Sequence, residues 1–138
     1  MRILIIGGTR FIGPPLVRLL HDQGHTIWLF HRHPPQVALP EDVQHLSGER
    51  ARLPDHADSF RSILPDVVID MIPLSEQDAR TATTTFRGLA GRLVSLSSQD
   101  VYRAYGRVQG TEPGRPDPLP LAEDSPLRQR LYPYRAET

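Results

Sequence analysis

The chain has 138 residues, 38% of them apolar and 23% charged, which is the size of one domain able to bury roughly two-thirds of its unfolded surface. Arg supplies all 16 basic residues against 16 acidic ones, and there is no Lys and no Cys. Disulfides, thiolate metal sites and chemistry needing a Lys ammonium are therefore excluded within these residues, and zero net charge without a basic run argues against nucleic-acid binding by counterion release. The longest apolar run near the start, Ile3 to Ile6, is too short for a signal core or a membrane span, so a cytoplasmic protein with no membrane partner is expected.

Arg2 to Ile6 is apolar and β-branched and ends in Gly7-Gly8, as does a strand buried on both faces of a parallel sheet. Ile12, Leu16, Leu19, Leu20 and Gln23 then form an apolar helical stripe, with Pro14 and Pro15 in its first turns and Gly24 as its stop. Thr26 to Phe30 is a second strand, completing a βαβ unit. Val43 to Leu46 is a short third strand, and Ala57, Phe60, Ile63 and Leu64 make a helix ended by Pro65. Val67 to Ile72 is the strongest strand. Ser75-Glu76-Gln77-Asp78 resembles a capping box for a helix through Ala79, Ala82, Phe86 and Leu89, weakened by Thr83, Thr84 and Thr85. Arg92 to Leu96 is the fifth strand. This alternation predicts an α/β fold, a doubly wound parallel sheet of order 3-2-1-4-5, incomplete at its C-terminal side, over residues 1–105. Residues 106–138 carry six Pro and three Gly without periodicity, and are expected to be a loosely held tail that would serve as a substrate lid in a longer protein.

Gly7-Gly8-Thr9-Arg10-Phe11-Ile12-Gly13 lies between a strand and a helix. Glycines there allow a sharp turn and a close approach of the backbone to a pyrophosphate, which the helix N-terminus favours as an anion. In nicotinamide-binding folds an acid about 20 positions further on takes the ribose hydroxyls of NAD. Here the second strand ends in His31-Arg32-His33 with no acid. Arg10 and Arg32 would suit a 2′-phosphate, so NADP is expected over NAD; alternatively both are solvated surface arginines.

These residues resemble the extended and atypical short-chain dehydrogenases/reductases, the NAD-dependent epimerase/dehydratase family. GGTRFIG is similar to the family's TGGxGFIG, with Arg10 at its middle glycine. Gly48-Glu49 is similar to the Gly-Asp pair whose acid meets the adenine amine. Val67 to Asp70 matches the strand beside the nicotinamide ribose, and Leu96 to Tyr102 resembles SSxxVY, which places Ser98 at the catalytic Ser/Thr position. The resemblance implies a Rossmann fold, hydride transfer at a substrate carbinol and a small-molecule substrate such as a nucleotide sugar. The family's acid/base is a Tyr with a Lys four residues later, because a phenol of pKa about 10 is a poor base without an adjacent cation. Tyr132 is followed four places on by Ala136 and Tyr134 by Thr138, so the chain departs from that pattern. It reads as the N-terminal cofactor-binding portion of a longer protein, inactive alone. The alternatives are a non-catalytic NADP(H)-binding regulatory module and a fragment without independent function.

Six further residues are read two ways. Asp70 would line the cofactor cleft or cap the following turn, and Asp100 would act as an acid or a capping carboxylate. His31 and His33, two apart, would face one side of a strand, but no third metal ligand stands at a convincing spacing. Tyr102 and Tyr105 are pocket or packing residues. Oligomeric state is left open.

Overall fold

The computed structural model describes residues 1–130. Contacts divide the chain into two compact units, Met1–Leu96 and Ser97–Thr138. The first runs β1 (Arg2–Ile6), α1 (Gly13–Asp22), β2 (Thr26–His31), β3 (Gln44–Ser47), a 3₁₀ segment (Arg50–His56), α2 (Ala57–Ile63), β4 (Val67–Asp70), α3 (Glu76–Phe86) and β5 (Arg92–Ser95). All strand pairs are parallel, in the order β3-β2-β1-β4-β5. That is the expected Rossmann-type sheet.

Its two faces carry separate cores. Leu4, Ile6, Phe30 and Val68 pack with Leu53, Phe60, Ile63, Ala82 and Phe86 of the 3₁₀ segment, α2 and α3. Ile3, Ile5, Ile27 and Leu29 pack with Val17 of α1 and with Val43. Alternation along β1 and β2 thus feeds both faces, which is why these strands read as continuous apolar runs.

Several local expectations are corrected. The buried face of α1 is Gly13, Pro14 and Val17, while Ile12 and Leu19 are exposed. The helix is rotated because its first turn has to lie flush on the glycine loop, which only Gly13 permits. β4 stops at Asp70, whose side chain bonds into the turn beyond it. α3 ends at Phe86 rather than Leu89, because Gly88 takes a left-handed φ of +74°. Its threonine run stays helical, with Thr83 Oγ1 donating to the Ala79 carbonyl at 2.8 Å. Ser75 caps α3 as expected, its hydroxyl accepting from the Asp78 N–H at 3.1 Å.

The second unit, described through Arg130, holds a 3₁₀ turn (Gln99–Val101) and α4 (Arg103–Val108). The stretch expected to be loosely held is tied by charged side chains. Asp117 takes Arg103 at 2.7 Å and Arg107 at 2.8 Å. Buried Arg128 bonds the Asp100 carboxylate and carbonyl, Thr111 at 3.0 Å and Gln109 at 3.0 Å. Buried Glu112 accepts the N–H of Gln129 at 2.7 Å. Such pairings leave no periodicity in a sequence. Among the described residues no helix is long and apolar enough to cross a membrane.

Candidate functional site

The strand order reverses direction between β1 and β4, and in open α/β sheets the crevice outside the carboxyl ends of such strands is where ligands bind. Three turns of the first unit meet there: the glycine loop after β1, the end of β2, and the Asp70–Leu74 turn after β4.

Gly7 and Gly8 have φ of +87° and +80°, conformations that side chains resist. Gly13 opens α1 so close to the loop that a Cβ on it would stand 2.2 Å from the Gly8 carbonyl oxygen. The Gly13 N–H is spent on the Arg10 carbonyl at 2.9 Å, and Pro14 and Pro15 have none to give. The donors left free are in the loop itself, where the N–H groups of Arg10, Phe11 and Ile12 make no hydrogen bond among the described residues. Thr9 is half-buried between the glycines and Arg10. Phe11 is held at φ +52° with its ring 91% exposed, and Ile12 is exposed beside it. A left-handed non-glycine residue presenting an aromatic ring to solvent is the kind of strain that gathers at ligand sites.

At the end of β2, Arg32 is exposed, as is Arg10 in the loop, and neither guanidinium has a partner among the described residues. His31 is buried. Its Nε2 lies 2.8 Å from Nδ1 of His45 on β3, while its own Nδ1 is buried without a partner. Burial and the neighbouring His45 and His33 hold its pKa below the ordinary value. Glu49 is exposed at the start of the 3₁₀ segment and makes no capping bond. Among the described residues no group of three or more His, Asp or Glu is placed to hold a metal ion.

Asp70, fully buried at the end of β4, turns inward. One carboxylate oxygen accepts the Ile72 N–H at 3.2 Å and the other takes the Arg50 guanidinium. Burial pushes its carboxyl up from the ordinary value, against the pull of the Ile72 N–H and Arg50. Arg50 also donates to the Ile72 carbonyl at 2.9 Å and approaches Asp78 at 3.4 Å. Sequence reasoning passed over Arg50, since nothing in a 20-residue separation links it to Asp70. Ser98 lies in the second unit, exposed, and caps the Gln99–Val101 turn by accepting the Asp100 N–H at 3.2 Å. Tyr105 donates to Gln99 at 2.6 Å. Tyr132 and Tyr134 lie outside the described residues.

Comparison with known proteins agrees with this fold. The sequence is 33% identical over 100 residues to 2′-dehydrokanamycin reductase of Streptomyces kanamyceticus, covering 71% of this chain and 28% of that protein. The fold is similar to UDP-glucose 4-epimerase of Bifidobacterium longum, solved with NAD+ and UDP (TM-score 0.75, 17% identity, 97% of this chain and 44% of that one). It is also similar to WbmG of Bordetella bronchiseptica, solved with NAD (TM-score 0.71, 20% identity, 93% and 44%). The chain thus spans less than half the length of the proteins it matches. The model of the NAD dependent epimerase/dehydratase family matches residues 3–134, taking in the glycine loop, the parallel sheet and the Ser98 turn, and the chain belongs to that family.

Proposed function

We propose that this chain binds a nicotinamide dinucleotide, with NADP(H) preferred, as the cofactor-binding part of a reductase or epimerase/dehydratase. The observation that carries the reading is the cradle at the sheet's switch point: two left-handed glycines, a helix start that admits no Cβ, and loop N–H groups left for an anion. Gly7, Gly8, Thr9, Arg10, Phe11, Ile12 and Gly13 would face the pyrophosphate, and Glu49 the adenine. The preference for NADP rests on Arg10 and Arg32, two exposed guanidiniums suited to a 2′-phosphate. The solved neighbours carry NAD in their descriptions, so this preference distinguishes the chain from them.

The cofactor supplies hydride acceptance and donation at a substrate carbon. In a longer protein the substrate would be a small carbinol, for which the UDP held by two neighbours suggests a nucleotide sugar. Ser98 would hydrogen-bond the substrate oxygen. With no Lys in the sequence, the Tyr–Lys acid/base pair cannot be completed here, which favours binding without turnover by these residues alone.

Calorimetric titration with NADP+ and NAD+ tests the reading. Tight NADP+ and weak NAD+ binding is expected, with no absorbance change in the reduced-nicotinamide band on adding carbinols. Equal affinity for both would remove the arginine argument, and no heat with either from a folded sample would remove the cofactor.

A further inference from the structure

Arg50 is the one cation of the first unit that is nearly buried and fully engaged by groups from three different stretches of chain. Its side chain is 11% exposed, against 0% for Asp70 and 26% for Asp78. Nε donates to the Ile72 carbonyl at 2.9 Å, Nη1 lies 3.4 Å from the Asp78 carboxylate, and Nη2 bonds the Asp70 carboxylate and reaches the Asp78 carbonyl at 3.3 Å. Asp78 is itself held by Ser75, whose hydroxyl donates to its carboxylate at 2.9 Å. One planar fork therefore joins the end of β4, the turn that follows and the first turn of α3.

The turn so held borders the glycine loop. A Cβ on Gly7 would meet the Ile72 side chain at 3.4–3.5 Å, so Ile72 packs directly over Gly7. Arg50 grips Ile72 by its carbonyl, and Asp70, which Arg50 neutralises, grips it by its N–H at 3.2 Å. Both backbone bonds of Ile72 thus run to this pair. β2, with Arg32, and β4 flank β1 on opposite sides; on the cofactor reading above, the adenosine half would lie toward β2 and the nicotinamide half toward β4.

From this geometry, and resting on the cofactor reading above, we infer that Arg50 is a positioning residue for the dinucleotide. Through Asp70 and Ile72 it sets the wall of the crevice opposite the adenosine site. It touches no cofactor atom in this role. Removing it frees the Asp70–Ile72 turn to leave Gly7, so the nicotinamide half loses its seat while the adenosine half keeps its own.

The experiment is a calorimetric titration with NADP+ and with adenosine 2′,5′-bisphosphate, the adenosine half alone. The chain is compared with Arg50→Lys, Arg50→Met and the double variant Arg50→Met with Asp70→Leu, which leaves no buried charge unpaired. Thermal melts identify the folded variants. Arg50→Met and the double variant are expected to lose about tenfold in NADP+ affinity, because binding must then reseat the released Asp70–Ile72 turn, with the half-molecule unchanged. Arg50→Lys should recover part of the loss, since an ammonium restores the charge but not the fork. Undiminished NADP+ binding by the folded double variant would overturn the inference, and so would an equal loss for both ligands. If the unaltered chain binds neither ligand, the cofactor reading itself has failed, and this inference with it.

Discussion

Gly13 and Gly8 approach each other so closely that a Cβ on Gly13 would stand 2.2 Å from the Gly8 carbonyl oxygen. Backbone cannot yield as a flexible side chain can. Gly13→Ala should therefore destabilise the chain by about 1–3 kcal/mol and abolish dinucleotide binding together with the cradle. Gly24→Ala is the control: Gly24 has φ +78° with nothing within 4 Å, and pays only backbone strain of about 1 kcal/mol. Urea unfolding that ranks Gly13→Ala no worse than Gly24→Ala would refute the packing argument.

Arg10→Ala and Arg32→Ala are each expected to weaken NADP+ by about tenfold or more, the worth of a charge-assisted bond, and to leave NAD+ nearly unchanged. The ratio of the two affinities is the quantity to measure. A parallel fall in both would mean that the arginines support the loop and do not read the phosphate.

Phe11, at φ +52° and 91% exposed, gives up little packing if its side chain is removed. Phe11→Gly should stabilise the free chain by up to about 1 kcal/mol by relieving left-handed strain. If the ring serves the ligand, the same change weakens dinucleotide binding, so thermal melting and titration move in opposite directions.

His31 gives the fold a pH dependence whose sign follows from its depressed pKa. The unfolded chain takes up the proton near the ordinary value of 6.5, while the folded chain resists it. The His31 contribution is therefore fully present above 6.5 and is lost as pH falls from there through the lower folded value. Urea midpoints measured from neutral pH down to about 5 should fall for the chain and fall less for His31→Phe; identical slopes would assign the effect elsewhere.

Arg128 organises the second unit, being 5% exposed in its side chain and bonded to Asp100, Thr111 and Gln109. Arg128→Met should cost about 2–3 kcal/mol, toward the low end for a broken buried pair because Asp100 keeps some solvent. The change should make the 106–130 stretch a protease target while 1–96 stays resistant. Uniform resistance would show that backbone bonds, such as Arg128 N–H to the Val101 carbonyl at 2.8 Å, are enough to hold it.

Local chemistry was enough to determine the sheet. The β-branched runs at Arg2–Ile6 and Val67–Asp70, the glycine loop between strand and helix, and the Ser75 cap each act over a few residues, so the sequence displays them directly. Strand order followed from the alternation of strands and helices. Other features depended on residues far apart in the chain, and only the tertiary structure decided them. The rotation of α1 was set by how closely Gly13 lies on Gly8, overriding an apolar stripe that pointed to Ile12 and Leu19. Arg50 met Asp70 because the crossover from β3 to β4 brought a loop after β3 to the end of β4. Arg128 met Asp100 across 28 positions and ordered a proline-rich stretch with no period of its own. A buried ion pair is chosen by where two chain segments land in space, and a single sequence carries no periodicity from which that meeting can be read.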